Sequence, residues 1–169
     1  ILSCRTGQKD RRGQLPETLW AESIYDLIGA KIPFYDLLPP PVNGHVRSGS
    51  KQYAWGSWAD VLEPGSGTEV LASYADQFYA GKAAAVTHKL GKGTVTYIGV
   101  DSQDGDLENV LLHKVYADAG AAPASLHRDF IVDWRDGFWV ATNFTSASEP
   151  IPASAAAKVL VGAREVPPG

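Results

Sequence analysis

The chain's 169 residues, 44% hydrophobic and 20% charged, suffice for one ordinary domain and a small second one. No apolar stretch approaches the roughly 20 residues of a membrane span, and a net charge of −4, from 15 basic and 19 acidic residues, argues against a nucleic-acid partner. Cys4 is the single cysteine, so there is no intrachain disulfide framework and no cysteine-based zinc site.

Ile1 to Cys4 reads as a short apolar strand, followed by a polar, basic loop from Arg5 to Gln14. Because the chain starts inside a strand, has no Met and ends on Val-Pro-Pro-Gly, it reads as a piece of a longer protein. Pro16 is placed to open a helix whose apolar face is Trp20, Ile24, Leu27 and Ile28, with Gly29 as its stop. Lys31 to Leu38 holds a short strand, ended by Pro39-Pro40-Pro41, and Val42 to Lys51 reads as loop. Tyr53 to Leu62 (YAWGSWADVL) is aromatic and irregular, suited to core or interface packing. Glu69 to Tyr74 is a further strand.

The stretch from Lys82 to Gly120 organises the rest. Ala84 to Leu90 and Thr94 to Val100 are the arms of a hairpin turning at Gly91-Lys92-Gly93, where glycine supplies the positive φ of a tight turn. Asp101 to Gly105 is a polar loop. Leu107, Val110, Leu111 and Val115 then recur at helical spacing, with Asp106 and Glu108 in the first turn and Gly120 past the end. Beyond the Ala/Pro linker at 121–125, Phe130, Val132 and Trp134 alternate, turn at Asp136-Gly137, and alternate again through Phe138, Val140, Thr142 and Phe144. Ala156 to Val161 supplies a third strand.

Little in the chain points to chemistry. Cys4 lacks a nucleophile elbow and its surroundings, Leu-Ser-Cys-Arg-Thr-Gly, match no cysteine–histidine signature. His45, His88, His113 and His127 form no metal-binding spacing. The acidic cluster Asp101, Asp104, Asp106 and Glu108 lacks the register of a calcium loop and serves to cap the following helix. Asn143-Phe144-Thr145 matches a glycosylation acceptor but falls in a strand. The expectation is therefore no catalytic residue, no metal and no cofactor.

Three segments carry a resemblance: Trp58-Ala59-Asp60-Val61-Leu62, then 68–84 (TEVLASYADQFYAGKAA), then 91–99 (GKGTVTYIG). In this order they resemble the C-terminal portion of glycoside hydrolase family 42 β-galactosidases, with Lys82-Ala83 where the family often carries a proline. The resemblance implies an α/β fold that is flavodoxin-like (class I glutamine-amidotransferase-like), a sheet with helices lacking its first strands, followed by a small antiparallel β-domain. Domain limits of 1–122 and 123–169 follow. It also implies that the two catalytic glutamates lie on a separate (β/α)₈ barrel of about 250 residues, which this chain cannot contain.

The resulting reading is a non-catalytic assembly domain of a cytoplasmic enzyme that hydrolyses terminal β-D-galactosyl residues. Its partners are copies of itself, as a trimer, and the β-galactoside bound by the barrel; nucleic acid and membrane are not expected. Tyr53, Trp55, Trp58, Phe78 and Tyr79 are the candidate interface residues, because aromatics in loop-like segments are typical interface anchors. Two alternatives stand beside it: a carbohydrate-binding module stacking sugars on Trp55, Trp58, Trp134 and Trp139, and an amidotransferase-like enzyme using Cys4.

Overall fold

Strands dominate the first of two units, Ile1–Ala121 and Ala122–Gly169, in the computed structural model, which describes residues 1–169. The first unit runs β1 (Leu2–Ser3), α1 (Tyr25–Ile28), β2 (Ala30–Asp36), β3 (Gly44–Ser48), β4 (Lys51–Pro64), β5 (Thr68–Tyr74), β6 (Ala83–Leu90), β7 (Gly93–Ile98), β8 (Val100–Ser102) and α2 (Asp106–Asp118). The eight strands form one sheet in the order β1-β7-β6-β5-β3-β4-β2, with β8 alongside β4. A further pairing of β4 with β6, at Leu62 and Ala83, closes β3, β4, β6 and β5 into a ring. No helix is long and apolar enough to cross a membrane.

Pairing is antiparallel throughout except between β1 and β7. The unit is thus a mixed sheet with few helices. A flavodoxin-like sheet is parallel, with helices as crossovers; here hairpins join β3 to β4, β5 to β6 and β6 to β7, so no crossover helix is needed.

Two apolar clusters occupy opposite faces of the strands, because neighbouring residues point to opposite sides. Val61, Ala85 and Ile98 belong to one, with Trp55, Tyr74, Tyr79, Leu107 and Leu111. Leu62, Val86 and Tyr97 belong to the other, with Ala21, Ile24, Ile28 and Ile32. Helix α2 covers the first through Leu107 and Leu111, one turn apart, whereas Val110 faces outward. Glu108 reaches back to accept hydrogen bonds from the backbone N–H and the hydroxyl of Ser102, which ties the helix start to β8.

Three local expectations change. The segment from Pro16 to Gly29 is not one helix: Ala21 at φ +51 breaks it, leaving a 3₁₀ turn at Glu22–Ile24 and the short α1 before Gly29 at φ +65. Three of its four spaced apolar residues, Trp20, Ile24 and Ile28, still pack on the second cluster, whereas Leu27 is exposed. The segment 42–51 holds β3 and its turn into β4, and 53–62 lies within β4, where loop and irregular chain are expected. β4 buries Trp55 and every residue from Ala59 to Leu62, so it shows no alternation, and it bulges at Ser57, φ +70. Gly44 of β3 is required by packing: a Cβ there would lie 2.5 Å from the Trp55 Nε1.

In the second unit the Asp136-Gly137 hairpin forms as expected, both residues at positive φ, joining β9 (Phe130–Arg135) to β10 (Phe138–Asn143). The expected strand at 156–161 does not form; β11 (Glu149–Pro150) instead pairs with β12 (Glu165–Val166). The Ala-rich segment has no pairing partner, and the Arg164 guanidinium binds its carbonyls at Ser154, Ala155 and Ala157. Asn143 is buried, its amide donating to the carbonyls of Ala147 and Val166 at 2.7 and 2.8 Å, so it is a structural staple rather than an exposed glycan acceptor.

Candidate functional site

Asp60 is fully buried in β4 without a basic partner, yet both its carboxylate oxygens are saturated. Oδ1 accepts from the indoles of Trp58 at 2.9 Å and Trp20 at 3.4 Å; Oδ2 accepts from the Tyr97 hydroxyl at 2.7 Å and the Arg5 backbone N–H at 3.0 Å. Its main-chain carbonyl accepts the Tyr74 hydroxyl at 2.8 Å. Hydrogen bonding to the charged form is what makes such burial tolerable. Strand β4 supplies the carboxylate, β7 supplies Tyr97, and the N-terminal loop supplies Arg5 and Trp20.

The bonds to Asp60 hold an aromatic group at the surface. Trp58 stacks on Tyr35 with centroids 4.5 Å apart and planes at 9°, Trp20 lies 4.4 Å from Tyr35, and the Arg5 guanidinium sits 5.3 Å over the Trp58 ring. Trp20, Tyr35 and Asp60 were not singled out as site residues from the sequence. The one available signal was the Trp-Ala-Asp string, whose alternation in a strand puts Trp58 and Asp60 on one side.

The second group lies between β5 and β6. Phe78 is 84% exposed and stacks on Phe34 at 5.7 Å, while Tyr79 beside it is 2% exposed and donates its hydroxyl to Asp36 at 2.6 Å. Burial, the bond to Asp36 and that carboxylate's charge hold the Tyr79 phenol far above its ordinary range. Of the five candidate interface residues, Trp55 and Tyr79 thus belong to the chain's own core, Tyr53 and Trp58 are half-buried, and Phe78 projects.

The alternatives fare differently from the assembly reading. Sugar stacking needs a free aromatic face; Trp55 is fully buried and Trp58 is engaged by Tyr35, Trp20 and Arg5. Trp134 and Trp139 are about half exposed but pack edge to face against each other at 5.0 Å. Cys4 has Asp60, Asp101 and Arg5 as its charged neighbours, while His45 is bound to Asp76 and His88 to Thr68. Burial first, then the charges of Asp60 and Asp101, push the Cys4 thiol up to about 11 from its ordinary 9.0. Nucleophilic cysteines are shifted the other way. Alkylation of Cys4 at pH 7 is expected to run about a hundredfold slower than that of a free cysteine, the thiolate fraction falling tenfold per unit; labelling at the free-cysteine rate would contradict this placement.

Comparison with known proteins agrees with the fold. Residues 1–123 match the family model described as the β-galactosidase trimerisation domain. The β-galactosidase BgaH of Haloferax lucentense is 33% identical over 147 residues, covering 86% of this chain and 22% of that protein. The β-galactosidase of Halorubrum lacusprofundi is 30% identical over 158 residues, again 86% of this chain and 22% of its relative. A solved structure of the polyextremophilic β-galactosidase from that Antarctic haloarchaeon superposes with a TM-score of 0.74 at 31% identity, covering 86% of this chain and 22% of that one. The crystal structure of the β-galactosidase from the psychrophilic Marinomonas ef1 gives 0.75 at 20% identity, over 98% of this chain and 24% of its own. The chain therefore spans about a fifth of the length of the relatives it matches, and it belongs to the trimerisation-domain family of GH42 β-galactosidases.

Proposed function

We propose that this chain is the assembly domain of a homotrimeric, cytoplasmic GH42 β-galactosidase whose catalytic glutamates lie on a separate (β/α)₈ barrel. The observation that carries this reading is the match of residues 1–123 to a trimerisation domain, in relatives more than three-quarters of whose length lies outside the match. Hydrolysis of terminal β-D-galactosyl residues belongs to that other part, since a retaining glycosidase needs two carboxylates about 5 Å apart in one cleft. Residues 123–169 form a small β-domain.

The flavodoxin-like arrangement belongs to the whole domain in this reading. β1 runs parallel to β7 at the end of the sheet, leaving its outer side open to further parallel strands. Contacts between copies draw on the aromatic segments around Tyr53, Trp58 and Phe78, with Trp55 and Tyr79 holding those segments from within the core.

Light scattering of the full-length protein is expected to give three times the chain mass, together with turnover of a chromogenic β-galactoside. A monomer, or a trimer that persists when residues 1–123 are deleted, would overturn the assembly role.

A further inference from the structure

We infer that the turn between β5 and β6 is a braced anchor for a second copy of this chain, with Phe78 as the contact and His45 and Asp76 as positioning residues. The inference rests on the assembly reading above. At 84% exposed, Phe78 presents more of itself than any other Phe, Tyr or Trp of the chain. Its ring is nevertheless held: it stacks on Phe34 at 15° between planes, and Tyr79 meets it edge-on at 4.8 Å.

The backbone beneath it is held as firmly. Gln77 takes φ +64 and Gly81 φ +87, which folds the turn back on itself, and Gly81 and Ala80 donate to the carbonyls of Tyr74 and Gln77 at 2.8 and 3.2 Å. Each flank carries a carboxylate brace. On one side Asp76 accepts from the His45 backbone N–H at 3.1 Å and meets the His45 Nδ1 at 2.8 Å, while Ala75 donates to the His45 carbonyl at 2.8 Å. On the other, Tyr79 binds Asp36.

An exposed aromatic on a mobile loop loses much of its binding energy to ordering; one already immobilised does not. A large aromatic projected from a rigid turn is what a protein contact uses as its anchor. The family to which the chain belongs is defined by self-association, which makes a second copy the occupant. In a ring of three the contact is heterologous, so Phe78 of one copy meets a different surface of the next.

The test is the concentration at which the full-length trimer dissociates, by light scattering on dilution, with circular dichroism checking the fold of each variant. Phe78→Ala is expected to raise that concentration about 30-fold, the size of an interface hot spot, and Phe78→Glu to leave monomer. His45→Ala should raise it by about 3- to 10-fold, and His45→Asn, whose amide donor stands near the position of Nδ1, should recover most of the loss. In the Phe78→Ala background, His45→Ala should add nothing, because positioning acts only through the ring it positions. A trimeric parent indifferent to both Phe78 variants would overturn the anchor and leave the assembly role standing. Additive losses in the double variant would overturn the positioning role of His45, and a monomeric parent would overturn both readings.

Discussion

Replacing Asp60 by alanine is expected to cost about 3–5 kcal/mol of stability, the range for breaking a buried polar network. The substitution leaves two indole N–H groups, the Tyr97 hydroxyl and the Arg5 N–H without their acceptor. Tyr97 is fully buried and cannot turn to water, so its orphaned hydroxyl carries the heaviest part. Asp60→Asn keeps one acceptor but points an amide donor at two of the same donors, so it should recover less than half of the loss. Urea denaturation followed by tryptophan fluorescence measures both. The same substitution should lower the Cys4 pKa, since Asp60 is the first of the charges that raise it. Faster alkylation of Cys4 in a still-folded Asp60→Asn variant is the independent check. A loss under 1 kcal/mol would mean the network is not the hub of the N-terminal unit.

Stability of the chain is expected to fall steeply on the alkaline side. Tyr97 is raised above its ordinary 10.0 by burial, by the charge of Asp60 and by donating to it; Tyr74 is raised by burial and then Asp60. Tyr25 and Tyr79 shift the same way, burial leading in each. A group whose pKa is higher folded than unfolded binds its proton more tightly in the folded state. Its contribution is complete below the unfolded pKa and is lost as pH rises towards the folded one. Cys4 therefore acts between about 9 and 11, and the tyrosines from 10 upward. Each group that must ionise on unfolding adds a slope of about 1.4 kcal/mol per pH unit. Tyr97→Phe removes one such slope but also a donor to Asp60. It should be the less stable protein at pH 8, with its curve converging on the parent's as pH rises. Thermal melts from pH 8 to 11 test this; parallel curves would show that Tyr97 does not titrate with unfolding.

Some of this was legible in the residues alone. The Gly91-Lys92-Gly93 and Asp136-Gly137 hairpins and the helix at Asp106 rest on nearest-neighbour rules: glycine or aspartate where φ must be positive, and apolar residues one helical turn apart. The three segments around Trp58, Ala72 and Thr96 sufficed for the family, which residues 1–123 match. The run from Asp106 to Asp118 needs no distant partner to form, since its inward positions Leu107 and Leu111 follow the helix's own period.

What only the tertiary structure decided depends on residues far apart in sequence. YAWGSWADVL looks irregular because β4 has neighbours on both faces, so nothing forces its polar and apolar residues to alternate. A stretch with helical spacing from Trp20 to Ile28 became a turn and a single α-turn because Ala21 takes positive φ while Ile24 and Ile28 still reach the sheet. Beyond its spacing from Trp58, Asp60 gave no sign of its role, since its other three donors come from positions 5, 20 and 97 and meet only when β4, β7 and the N-terminal loop are assembled. The same holds for adjacent aromatics. Phe78 and Tyr79 are neighbours of similar size, yet one turn of backbone, fixed by the carboxylates of Asp76 and Asp36, sends Phe78 into solvent and Tyr79 into the core.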